Sequence, residues 1–415
     1  MKIFSKAIAI VISLTFALSL GACSFQSVDG LDSSSGKEEI VLPTPDSVVI
    51  VPEGDNTQPS TTQKDAKYLR NKVEKAGRVS LEKQSECPAD FVLNVEGDEP
   101  IKILQLTDTQ MIDHTQVRLG NGAVTDYSNK DYIMYDIIDY VVEQTKPDLI
   151  LITGDYVYGD YDDNGSLFRE QTDYFDSLGI YWAVIFGNHD NDSDSEYARW
   201  LEEGWEDWYA RKQCQYLEAS THGLFRTRTN ISGYSNFSIA IKQNGEFVRS
   251  VFMIDTHGSH QTAQEIKQIQ LDWYKESVAA INEFAGKAVP QFICIHVPIY
   301  AFNLAAQQYG YVEGTTPNME IPANDNGDFG FIRQNPGSMD KSMVAFNTFK
   351  NNGADAILAG HLHKNNSSIL YQGVRMVFGT KSSRYDKYSE DLLGGTIFTV
   401  TGGNFTVAPV YYTGK

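Results

Sequence analysis

The chain has 415 residues, with 34 Lys+Arg against 54 Asp+Glu and a formal net charge of −20. Neutralising nucleic-acid phosphates takes basic patches, so this balance argues against a nucleic-acid backbone as partner. The length allows one large domain with extensions, or two modest ones.

Lys2 and Lys6 make a basic start, Ala7 to Leu20 is an apolar run, and Leu20-Gly21-Ala22-Cys23 closes it. That is the order of an export signal over 1–22. The run is short for a span of ~20 apolar residues. The closing residues resemble the lipobox of bacterial lipoproteins. The resemblance implies lipidation of Cys23 and a domain held at the extracytoplasmic face of the cell membrane. An ordinary cleaved signal and a single anchor are the alternatives. Residues 23–66 are rich in Ser, Gly, Asp, Thr and Pro and read as a flexible tether. A mixed-charge lead-in, 67–97, precedes one domain over 98–412. With Cys23 lipidated, Cys87, Cys214 and Cys294 are left, an odd count with no disulfide framework. Cys294 lies in an apolar strand as a packed thiol, and a Cys87–Cys214 bridge stays open.

Apolar runs predict strands at 101–106, 149–152, 181–186, 237–241, 248–254, 292–295, 356–358, 368–371, 374–378, 396–400 and 405–410. Many are continuously apolar, as in strands buried on both faces. Helices are predicted at 130–144, 167–177, 196–216, 263–284 and 342–351. Lys146-Pro147 and Asn352-Gly353 punctuate two of their ends. Strand–helix alternation early and mostly strands late imply an α/β layered sandwich with two sheets in the middle. Two segments read as insertions. One, near 192–229, carries Trp200, Trp205 and Trp208, best explained by packing. The other, 301–340, is Gly-, Asn-, Pro- and Gln-rich and reads as a long loop of the kind that serves as a lid.

Five short segments follow apolar runs and are built of metal-binding residue types: Asp108-Thr109-Gln110, Gly154-Asp155-Tyr156-Val157-Tyr158, Gly187-Asn188-His189-Asp190, His296, and Gly360-His361-Leu362-His363. Two adjacent cations need a bridging carboxylate, oxygen and imidazole ligands at the ends, and an open face. Asp155 is the natural bridge. Asp108 and Asp155 emerge at strand C-terminal ends, where open α/β sheets gather ligands. Asn188 offers an amide oxygen. His361 and His363, two apart in an extended segment, project to one side. His189 reads as catalytic, with Asp190 as the carboxylate that orients its imidazole. His257 and His260 either line the pocket or sit in a surface loop, His114 has no spacing that demands a role, and His222 reads as a surface residue.

In this order the segments resemble the calcineurin-like metallophosphoesterase superfamily over about Ile101 to Val410, and within it the purple acid phosphatases and their bacterial relatives. Gly154-Asp155-Tyr156-Val157-Tyr158, Gly187-Asn188-His189-Asp190 and Gly360-His361-Leu362-His363 fit the pattern, and Ile293-Cys294-Ile295-His296 fits with Ile for Val. The resemblance implies a four-layer αββα sandwich of two mixed sheets flanked by helices. It implies one metal on Asp108, Asp155, His363 and either Gln110 or Tyr158, and a second on Asp155, Asn188, His296 and His361. It also implies attack by a metal-bound hydroxide on a small phosphoester. Other branches place His where this chain has Gln110. An amide oxygen there tilts the site toward Mn or Mg, a tyrosinate from Tyr158 would suit ferric iron, and Zn is the third candidate. The expected function is a membrane-tethered phosphomonoesterase. Hydrolysis of diesters or pyrophosphates (nucleotide conjugates or lipid headgroups) is the alternative, and a non-catalytic binding lipoprotein is the second alternative.

Overall fold

The computed structural model describes residues 77–112, 130–158, 165–190, 208–258, 263–338 and 340–414. The export signal, Cys23, the tether, the first part of the lead-in, Trp200 and Trp205 lie outside them. In chain order the strands are β1 (Val79–Leu81), β2 (Phe91–Val95), β3 (Ile101–Leu106), β4 (Leu149–Thr153), β5 (Tyr181–Ile185), β6 (Phe237–Gln243), β7 (Glu246–Met253), β8 (Gln291–Cys294), β9 (Met319–Ile321), β10 (Phe329–Ile332), β11 (Ala354–Ala359), β12 (Asn365–Tyr371), β13 (Val374–Phe378), β14 (Gly394–Thr401) and β15 (Asn404–Tyr411). The helices are α1 (Lys130–Thr145), α2 (Ser166–Leu178), α3 (Trp208–Glu218), α4 (Gln268–Ala285), α5 (Ala301–Gln307) and α6 (Val344–Asn351).

Two mixed sheets form. One has ten strands in the order β1-β2-β6-β7-β8-β11-β13-β12-β10-β9, and the other five in the order β15-β14-β3-β4-β5. The strands that lead into the motifs are parallel neighbours: β3 with β4, β4 with β5, and β8 with β11. Parallel pairing aligns their C-terminal ends, so the residues that follow gather at one rim.

Period-two alternation builds the layers. In β8, Phe292 and Cys294 join the cluster that reaches the five-stranded sheet, while Ile293 joins the outer cluster. In β11, Ala356 and Leu358 point inward and Ile357 and Ala359 outward. The outer cluster includes Leu271, Tyr274, Val278 and Ile281 of α4 and Phe346 and Phe349 of α6. On the other side, α1 packs on β14, β3 and β15, and α2 on β5. The result is the expected four-layer αββα sandwich. Among the described residues, no helix is long and apolar enough to cross a membrane.

Several expectations change. Segment 301–340 is not a structureless loop: α5 packs on β12, and β9 and β10 extend the ten-stranded sheet beyond β12. Helix α4 starts at Gln268 rather than at 263, because the chain before it is held in extended contacts. There Glu265 N–H donates to Thr256 O and His257 forms a bridge with Gln264. Cys87, Cys214 and Cys294 are all free and buried. Cys87 lies in the outer cluster and Cys214 in the central one, so no Cys87–Cys214 bridge forms. His222 is half-buried against the Tyr181 ring, with its backbone N–H on Asp176, and is not a simple surface residue.

Candidate metal centre

The first three motif segments follow β3, β4 and β5, and the last two follow β8 and β11. At this rim the backbone turns sharply. Asp108, Gln110, Asp155 and His361 have φ of 53°, 45°, 50° and 70°, a left-handed conformation uncommon outside glycine. Such strain persists where surrounding contacts over-determine it, and it clusters at functional sites.

Asp108 and Asp155 are fully buried and face imidazoles. His363 Nε2 is 3.2 Å from Asp108 Oδ1. Thr107 Oγ1 and His361 N–H donate to Asp108 Oδ2 at 2.8 and 3.0 Å. His296 Nε2 lies 3.2 Å from Asp155 Oδ1 and 3.2 Å from Asn188 Oδ1. His189 N–H donates to Asp155 Oδ1 at 3.0 Å. Two rings carry a hydrogen on Nδ1. His296 Nδ1 donates to Thr153 O at 2.8 Å and His363 Nδ1 to Lys387 O at 2.9 Å, since a carbonyl can only accept. Both therefore present Nε2 to the carboxylates, as metal-ligating histidines do.

The donor atoms form two groups. One atom each from Asp155, His296 and His361 lie within 4.8 Å of one another, as do one each from Asp108, Asp155 and His363. Asp155 belongs to both. Buried carboxylates and imidazoles converging from separate strands fit divalent cations, with Asp155 between two positions. The electrostatics agree. Burial works to raise both carboxylates, but His363 and His296 hold Asp108 down at about 2, and His296 and His189 hold Asp155 lower still. Burial works to lower His296, yet Asp155 lifts it to about 9. Burial and the His296 charge push His361 down to about 4, which leaves that ring neutral and ready to ligate.

Over residues 101–365 the chain matches the family model described as calcineurin-like phosphoesterase. It belongs to that family. It is 24% identical over 236 residues to the Schizosaccharomyces pombe protein C1020.05, covering 54% of this chain and 41% of that protein. It is 22% identical over 289 residues to Phosphatase DCR2 of Saccharomyces cerevisiae, covering 65% and 45%. The match thus spans less than half the length of either curated relative. Among solved structures, the chain is similar to a dimetal phosphatase from Danio rerio, with TM-score 0.43, 10% identity and coverage of 76% and 100%. Purple acid phosphatase PPD1 from yellow lupin (Lupinus luteus) is similar with TM-score 0.42, 10% identity and coverage of 75% and 52%.

Two of the predicted family-site residues, Asp190 and Gln110, sit differently from expectation. Asp190 does not orient His189. Its carboxylate accepts the backbone N–H groups of Gly187, Tyr156 and Val157 at 2.7, 3.1 and 2.9 Å, tying the second and third motif loops together. Burial and the nearby Asp155 charge raise it to about 7. Tyr158 stacks on the His189 ring, with centroids 3.8 Å apart. Gln110 places its amide nitrogen, not its oxygen, toward the centre: Nε2 donates to Asp155 Oδ2 at 3.0 Å.

Sequence reasoning missed Lys381 and Ser383, which both donate to Asp108 O, and Lys387, whose carbonyl holds His363. The available signal was the polar run Thr380-Lys381-Ser382-Ser383 just after β13, which is parallel to β11. His257 is accounted for locally: Nε2 pairs with Ser232 Oγ and Nδ1 with Glu265 O.

Proposed function

We propose that the protein is a phosphomonoesterase with a dinuclear centre, exported and tethered outside the cytoplasmic membrane. The observation that carries the chemistry is the pair of donor groups sharing Asp155. Asp108, Asp155 and His363 would hold one cation, and Asp155, Asn188, His296 and His361 the other. Two carboxylates with one imidazole suit manganese or iron at the first position, and the second, richer in imidazole, also suits zinc. Bound there, the cations would draw charge off the phosphoryl oxygens and acidify a water for in-line attack.

The chain's own residues do the rest. His189 is held through its backbone on Asp155 and through its ring on Tyr158, and it stays half-buried at the rim. That position suits proton donation to the departing alkoxide. Asp190 keeps the Asp155 and Asn188 loops in register. The proposal is tested by parallel rates on nitrophenyl phosphate, its bis-ester and pyrophosphate with added divalent metal. The monoester should be fastest. A diester or pyrophosphate preference would overturn the substrate class, and no turnover of any of them would overturn the enzyme.

Tethering rests on the amino-terminal sequence. Cys23→Ala should lose palmitate labelling and leave the membrane fraction. Retention of the label would refute it.

A further inference from the structure

Lys381 is buried at the centre, 1% exposed, with Nζ 2.7 Å from Gln110 Oε1 and 2.9 Å from Asp108 O. The same amide gives its nitrogen to Asp155 Oδ2. These contacts fix which way Gln110 faces. An ammonium can only donate and a carboxylate can only accept. A flipped amide would set its NH2 against Lys381 and its oxygen against Asp155, repulsive at both ends. The amide oxygen that sequence reasoning assigns to a metal is therefore held by a lysine.

We propose that Lys381 locks Gln110 as a donor to Asp155, which denies the Asp108–Asp155–His363 position the amide oxygen and makes it the weaker of two cation sites. This rests on the dinuclear reading above. Two effects act together. Gln110 supplies no ligand atom, and a buried ammonium contacting the Asp108 backbone repels a cation placed beside it. The other position has four donors, with Asn188 Oδ1 adjoining His296, and no comparable lysine contact among the described residues. Gln110 and Lys381 are thus positioning residues.

Equilibrium dialysis of the purified full chain against Mn2+ alone tests this. The wild type should bind two ions with affinities separated by about tenfold or more. Lys381→Met frees the Gln110 oxygen and removes the charge. It should tighten the weaker ion by about tenfold and leave the stronger one unchanged. Ser383 still holds Asp108 O in that variant. Gln110→Ala offers a second readout should Lys381→Met fail to fold: the folded variant should still bind both ions. Two equal wild-type affinities, loss of one ion from folded Gln110→Ala, or weaker binding in folded Lys381→Met would each overturn the inference. A wild type that binds no Mn2+ would overturn the dinuclear reading as well, so the two failures are distinguishable.

Discussion

Gly187 lies directly against Asp155. A Cβ built on Gly187 would overlap the Asp155 carboxylate and backbone nitrogen, and would come 2.8 Å from the His296 ring. Gly154 bears the same relation to His296, at 2.5 Å from Nδ1, and Gly360 to Asp108, at 2.9 Å from Oδ2. The motif glycines leave the space into which the Asp155, His296 and Asp108 side chains fit. Gly187→Ala should therefore displace Asp155 and cut activity by about 10²-fold or more. Steady-state rates with circular dichroism check it, and a folded Gly187→Ala of normal activity would contradict the packing.

His189 and His361 should separate as catalytic group and ligand. His189→Ala should lower kcat by about 10²–10⁴-fold while metal content holds. His361→Ala should lose metal together with activity. Elemental analysis beside kinetics distinguishes them. Metal loss in His189→Ala would make that residue a ligand.

Asp190 is a structural clamp in this account. Asp190→Ala strands three backbone N–H groups in a buried loop and should destabilise the protein by about 2–4 kcal/mol in denaturant melts. A change below about 0.5 kcal/mol would contradict the clamp.

The metal-free protein should lose stability as pH rises. The His296 value is raised from 6.5 to about 9 by Asp155. Its contribution, on the order of 3 kcal/mol, is fully present below about 6.5 and is lost through about 9. Asp190, raised to about 7, adds to the decline at lower pH, because the folded state keeps a proton that the unfolded chain gives up. Cations held by His296 would take the place of its proton, so the metal-loaded protein should not show the loss above neutrality. Thermal melts between pH 6 and 9.5, in chelator and in excess Mn2+, measure the difference. A flat chelated profile would contradict it.

Much of the sandwich could be read from local pattern. Strands β3 and β13 have the bounds their apolar runs indicate, and α1 follows its run of Ile and Val. The segment from Ala301 to Asp340 could not be read so. Helix α5 is only seven residues long, and the β9–β10 pairing depends on β12. Gly330 looks like a strand breaker, yet a side chain there would run into the Asn366 backbone. The clustered strand-end residues were legible because each sits in a local motif with its own turn. Lys381 was not, because its partner Gln110 is 271 residues away in sequence. Asp190 misled for the opposite reason. It adjoins His189 in the chain, but its direction is set by the backbone N–H groups of Gly187, Tyr156 and Val157, to which it pairs.

Asp155 belongs to both donor groups, and metal content of Asp155→Ala beside the wild type tests the proposed sharing most directly. The wild type should carry about two divalent ions per chain and the folded variant neither. A folded Asp155→Ala that keeps both ions would contradict it.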